Sequence, residues 1–252
     1  MVIIKKENIL GIPLLHVVKH EKMEDKLPFV IFIHGIASIK ERNLQYAYML
    51  AEQGYRVILP DALYHGERLE EKHLHAEFWK VVLTTIHDIE VLKEFFDEQG
   101  LIEEGRIGVA GTSMGAIITL GAMAKYDWIQ TAVSLMGNPA YIDFAKLQLQ
   151  VMEQNNIKIP LTNEQIEEQL NMLKEYDATT DISEWNHRPL LFWHGKRDTT
   201  VPYEGAYNFY EQLKPTYEQK NIPLSFILDE QAGHVVPNKA AVEAVNWFVK
   251  YL

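Results

Sequence analysis

A serine hydroxyl is a poor nucleophile at neutral pH unless a base takes its proton and a third group fixes that base in one tautomer. One serine of this chain has the local sequence for such a role. Ser113 lies in Gly111-Thr112-Ser113-Met114-Gly115, after the apolar run Arg106-Ile107-Gly108-Val109-Ala110 and before a small-residue run over residues 116–124. The first run has strand composition and the second that of a buried helix. Gly-x-Ser-x-Gly between a strand and a helix is the signature of a nucleophile elbow. A serine at the apex of so sharp a turn brings strand and helix into near contact, so glycine is expected at 111 and 115.

A base and an acid should follow downstream, in the chain order serine, acid, histidine. Trp193-His194-Gly195-Lys196-Arg197-Asp198-Thr199-Thr200-Val201-Pro202 puts an aspartate in the turn after an apolar strand, and Ala232-Gly233-His234 puts a histidine in the loop after the last strand. In parallel sheets, sites gather outside the carboxyl ends of the strands, which places all three groups on one rim. Asp229 competes with Asp198 as the acid, being only five residues from His234. Asp198 is favoured because a carboxylate reaches the imidazole nitrogen opposite the serine more easily from a neighbouring loop. Asp229 is expected to brace its own loop by accepting nearby amides.

The remaining histidines read differently. His34 and His194 each precede a glycine at a strand end and are expected to shape those turns. His73-Leu74-His75, near His65 and Glu67, lacks the His-Glu-x-x-His spacing of hydrolytic metal sites and reads as a solvated loop. No metal or organic cofactor is expected.

The elements that must position these groups follow from the apolar pattern. Residues 2–4 and 12–18 form an antiparallel edge hairpin turning at Gly11, and residues 28–33 read as a strand buried on both faces. A helix over residues 41–53 buries Leu44, Ala47, Tyr48 and Ala51. After a strand at 55–59, a long helix over 76–99 aligns Val82, Ile86, Ile89, Leu92 and Phe96. Strands at 131–136, 189–194 and 224–228 and helices at 203–213 and 238–251 complete the alternation, the pattern of a mostly parallel sheet with helices on both faces. Residues 140–187 break the rhythm. Two amphipathic helices, 141–154 and 163–176, make them an inserted cap within one domain spanning 1–252. Thr162 or Asn163 caps the second of these helices.

Composition excludes several classes of function. Lys+Arg 24 against Asp+Glu 35 gives a net charge of −11, which repels nucleic-acid backbones. The absence of cysteine removes thiolate chemistry and disulfides and fits a reducing compartment. Lys5-Lys6 followed by residues 9–18 has the outline of a leader, but Gly11, Pro13 and His16 interrupt it, and no run is long enough to span a bilayer. A cytoplasmic monomer or homodimer, bound neither to membrane nor to nucleic acid, is expected.

Taken together, His34-Gly35, residues 111–115, His194-Gly195-x-x-Asp198-x-x-Val201-Pro202 and Gly233-His234 resemble the α/β-hydrolases. The resemblance covers nearly the whole chain and is nearest the dienelactone-hydrolase-like and prolyl-oligopeptidase-like serine esterases. It implies an α/β-hydrolase fold with Ser113 as nucleophile, His234 as general base and Asp198 as the orienting acid. It further implies an oxyanion hole made by the backbone amides of Met114 and Ile36. The expected reaction is cleavage of a small carboxylic ester through an acyl-enzyme, with Tyr141 and Phe144 of the cap lining the substrate pocket. Thioesterase, acyltransferase or oligopeptidase chemistry on the same triad is the alternative, and a non-catalytic hydrolase-fold binding protein the rival from another class.

Overall fold

A computed structural model describes residues 1–71, 74, 76–156, 161–183 and 185–252. Eight strands form one sheet in the order β1-β2-β4-β3-β5-β6-β7-β8. The hairpin β1 (Val2–Ile9) and β2 (Ile12–Lys19) is antiparallel, and β2 also runs antiparallel to β4 (Arg56–Pro60). The rest of the sheet is parallel: β3 (Leu27–Ile33), β5 (Ile102–Thr112), β6 (Thr131–Leu135), β7 (Leu190–Gly195) and β8 (Leu224–Asp229).

Alternation along the strands divides the core in two. Phe29, Ile31 and Ile33 of β3 face a cluster built with α2 (Phe78–Glu98), α3 (Met114–Lys125) and α6 (Glu204–Lys220). Val30 and Phe32 face the opposite cluster, with α1 (Leu44–Glu52) and α7 (Asn238–Tyr251). β3 therefore reads as a continuous apolar run because it is buried on both faces. Fully burying each such side chain contributes about 1.5–3 kcal/mol. This is the α/β-hydrolase fold. Among the described residues no helix is long and apolar enough to cross a membrane.

Between β6 and β7 lie α4 (Tyr141–Gln154) and α5 (Asn163–Leu173). Thr162 caps α5 through a capping box, its hydroxyl accepting the Gln165 amide while the Gln165 side chain accepts the Thr162 amide. Tyr141, Phe144, Ala145 and Leu173 seat the two helices on the α2–α3 side of the core.

Strands β1 and β5 run longer than the sequence pattern, and three helices differ from it. Residues Lys40–Asn43 form a 3₁₀ turn, so α1 starts only at Leu44; Tyr46 is then the buried aromatic, stacked on Phe32 at 4.2 Å, while Tyr48 is 53% exposed. Helix α6 continues through Pro215 to Lys220 rather than ending near residue 213. Packing outweighs the lost proline hydrogen bond: Tyr217, beyond the proline, is buried and its hydroxyl donates to the Arg188 carbonyl at 2.9 Å. Helix α5 stops at Leu173, short of 176.

Candidate active site

Register brings the functional loops together. Ile33 pairs with Gly111 and Thr112 with Leu135, so the loop leaving β3 runs beside the turn leaving β5. Gly195 pairs with Asp229, which sets the Asp198 turn beside the His234 loop.

Ser113 occupies the apex, at φ 55 and ψ −118, a conformation that costs about 1–3 kcal/mol and persists only where its surroundings hold it. The Ser113 amide donates to the Leu135 carbonyl at 2.8 Å, and its own carbonyl accepts the amides of Ala116 and Ile117, starting α3. Both flanking glycines are required. A Cβ on Gly111 would run into the Gly115 carbonyl, and one on Gly115 into the carbonyl oxygen of Ile33. The Ser113 turn is thus wedged against the end of β3.

Ser113 is 8% exposed, and its Oγ lies 2.8 Å from His234 Nε2. Nδ1 of the same ring lies 2.6 Å from Asp198 Oδ2. Burial opposes the charge on Asp198, but hydrogen bonds from His194, His234 and the Val201 amide outweigh it and hold the carboxyl well below the usual carboxylate range. An ionised Asp198 can only accept, so His234 Nδ1 carries the proton and Nε2 is left to accept from the Ser113 hydroxyl. Asp198 Oδ1 takes the amides of Thr200 and Val201, both at 2.9 Å. His194 Nε2 donates to the Val201 carbonyl at 2.8 Å and lies 3.5 Å from Asp198 Oδ2, closing the turn that carries Asp198.

Asp229 faces its own loop, its Oδ1 accepting the amides of Gln231 and Ala232. The amides of Ile36 and Met114 have no acceptor among the described residues, and a Cβ on Gly35 would stand 3.4 Å from Ser113 Cβ. Two unengaged amides therefore lie in the loops that meet at the serine, one of them at the positive end of α3.

The two α4 positions differ. Phe144 packs edge-on against Phe78 and Trp79 at 6.3 and 6.2 Å between ring centroids. Tyr141 has no exposed surface to offer a ligand. Its hydroxyl donates to the Ile117 carbonyl at 2.6 Å, anchoring α4 to α3. The expectation that Tyr141 lines the pocket is corrected accordingly.

His73 and His75 lie outside the described residues; among those described, no group of His, Asp and Glu is arranged to hold a metal ion. A concavity of about 410 Å³ between the β1–β2 hairpin and the end of α2, lined by Glu7, His16 and Phe96, sits at the amino ends of β3 and β5, away from Ser113. Sequence reasoning missed the way His34 and His65 link the loops after β3 and β4: Ala62 donates to His34 Nε2 at 3.1 Å and Ala37 to His65 Nε2 at 3.0 Å. The available signal was a His-Gly pair after each strand.

Comparison with known proteins agrees with this fold. A profile of the prolyl oligopeptidase family matches residues 42–252. YitV of Bacillus subtilis (strain 168) is 45% identical over 255 residues, and the esterase YjfP of Escherichia coli (strain K12) 30% identical over 266, each alignment covering 100% of both chains. The crystal structure of TT1662 from Thermus thermophilus superposes with a TM-score of 0.77 over 100% of this chain and 98% of that one at 19% identity, a likeness of fold. The sheet carries an elbow serine hydrogen-bonded to a histidine that itself meets a carboxylate, and with these relatives the chain is an esterase-like serine hydrolase that belongs to the prolyl oligopeptidase family.

Proposed function

We propose that the protein hydrolyses carboxylic esters of small molecules through an acyl-enzyme on Ser113. The observation that carries this reading is the unbroken chain Ser113 Oγ, His234, Asp198, with contacts of 2.8 and 2.6 Å. Ser113 Oγ attacks the ester carbonyl while His234 Nε2 takes its proton. The same proton then goes to the leaving alcohol, and water, deprotonated by His234, releases the acid. Asp198 holds the ring and stabilises the imidazolium. The amides of Ile36 and Met114 receive the oxyanion: they are fixed donors with no competing acceptor among the described residues, aimed where negative charge develops. Phe144 contributes the cap's apolar wall over the acyl group, and no cofactor takes part.

The ester assignment draws on YjfP, named an esterase and aligned over its whole length. A fluorophosphonate probe followed by peptide mapping tests it, alongside esters, thioesters and peptide amides of matched acyl group. Labelling at Ser113 with esters turned over fastest is the expected result. Turnover of the thioester or amide above the ester would reassign the substrate class, and no labelling would favour a binding protein.

A further inference from the structure

The peptide joining Gly35 to Ile36 is one planar group whose carbonyl and amide point in opposite directions, so whatever grips the carbonyl also aims the amide. Two donors grip it: His34 Nδ1 at 2.8 Å and the Ser38 amide at 3.2 Å. The next peptide is held too, with the Ala37 amide donating to His65 Nε2 at 3.0 Å. His65 Nδ1 in turn donates to the Leu63 carbonyl at 2.7 Å, while His34 Nε2 accepts the Ala62 amide at 3.1 Å. Each loop thus lends an imidazole that accepts an amide of the other.

Chemistry dictates the tautomers. A backbone N–H can only donate, so each Nε2 is bare and each Nδ1 carries the proton. A neutral imidazole supplies donor and acceptor on one rigid ring, and both rings are buried, His34 at 0% and His65 at 2% exposure. Burial lowers both pKa values, that of His34 to about 4, which keeps the clasp neutral. The clasp also holds strain. Ala37 sits at φ 55, a left-handed conformation that alanine keeps only when its surroundings impose it. Asp61 adds a parallel tie between the same loops, taking the Lys40 amide at 3.1 Å, Lys40 Nζ at 2.5 Å and the Glu67 amide at 3.0 Å.

We infer that His34 and His65 are positioning residues for the reaction, a reciprocal imidazole clasp that aims the Ile36 amide at the developing oxyanion. The inference rests on the proposed roles of Ser113 and Ile36. Neither imidazole touches the reacting atoms; both act through the peptides on either side of Ile36. Donation to the Gly35 carbonyl also polarises that peptide and strengthens its amide as a donor.

The test uses the full chain and four variants: His34→Leu and His65→Leu, which remove the bonds, and His34→Asn and His65→Gln, of which the first restores a donor near Nδ1 of His34 and the second an acceptor near Nε2 of His65. The readouts are kcat and KM on a p-nitrophenyl ester and the inhibition constant of an alkyl boronic acid, whose tetrahedral adduct on a serine carries an anionic oxygen. The leucine variants should lose about 10–100-fold in kcat, with KM within twofold and boronate affinity falling in proportion; Asn and Gln should recover most of it. Folded leucine variants with kcat within twofold of wild type would overturn the inference. So would losses in kcat that leave boronate affinity unmoved, which is the outcome of a merely structural clasp. Should the leucine variants fail to fold, His65→Gln against His65→Asn decides, because the shorter amide does not reach Ala37; equal kcat would overturn the inference. Wild type that resists fluorophosphonate would sink the underlying reading and the inference with it, whereas labelled wild type with insensitive variants sinks the inference alone.

Discussion

Asp198 and Asp229 stand at the ends of neighbouring strands, yet only Asp198 reaches His234, with Oδ2 at 2.6 Å from Nδ1. Asp229 holds the amides of Gln231 and Ala232 at 3.0 and 3.1 Å and so closes the loop that carries the histidine. Asp198→Asn should lower kcat by about ten-thousand-fold, the effect of the same change in a protease triad, and Asp229→Asn by about tenfold or less. Steady-state kinetics on both folded variants checks the ranking, and the reverse order would move the acid to Asp229.

The cap should set acyl selectivity. Phe144 is the ring that α4 lays against Phe78 and Trp79, in the same packed cluster as Met114. Phe144→Leu keeps an apolar side chain while opening space, so the preferred acyl chain should lengthen by a few carbons, with activity on an acetyl ester within about threefold. An unchanged chain-length profile would remove Phe144 from the pocket.

Crowding at the elbow makes a separate prediction. A Cβ on Gly115 meets the backbone of β3 and one on Gly111 meets the backbone of α3, neither of which can move aside. Gly111→Ala and Gly115→Ala should each cost at least about 3 kcal/mol or prevent folding, well beyond an ordinary overpacking change. Urea unfolding measures this, and wild-type midpoints would show the elbow to be looser than its geometry.

Buried imidazoles predict acid sensitivity. Burial lowers the pKa of His34 from 6.5 to about 4 and that of His16 to about 3. Between those values and 6.5 the unfolded chain binds more protons than the folded one, so stability falls as pH drops through this window. Each imidazole contributes up to about 1.4 kcal/mol per pH unit. Asp198, depressed in the folded state, adds a loss of the same sign at lower pH. Urea midpoints at pH 7, 6 and 5 should decline steadily; a flat profile would contradict the neutral, buried state of these rings.

Local chemistry was legible in the sequence and long-range packing was not. The elbow could be read because its requirements lie within five residues, and Asp229 because a loop-bracing carboxylate bonds to near neighbours. The Ala37–His65 bond joins residues 28 apart and leaves only a repeated His-Gly pair as its trace. Pro215 argues locally for a helix end, and only the partners of Tyr217, Trp185 and Arg188, explain why α6 goes on. Amphipathic spacing marked the buried side of α4 without saying what lay beneath it. Phe144 and Tyr141 therefore looked alike, although Tyr141 is fixed to α3 through Ile117.

The central claim is a covalent acyl intermediate on Ser113. Rapid-quench mass spectrometry after mixing with a p-nitrophenyl ester tests it most directly. The account predicts a burst of nitrophenol approaching one equivalent and an adduct of the acyl mass on the peptide bearing Ser113. Both should be absent from Ser113→Ala, whose turnover should fall on the order of a million-fold. An adduct on another residue, or turnover near wild type in that variant, would contradict it.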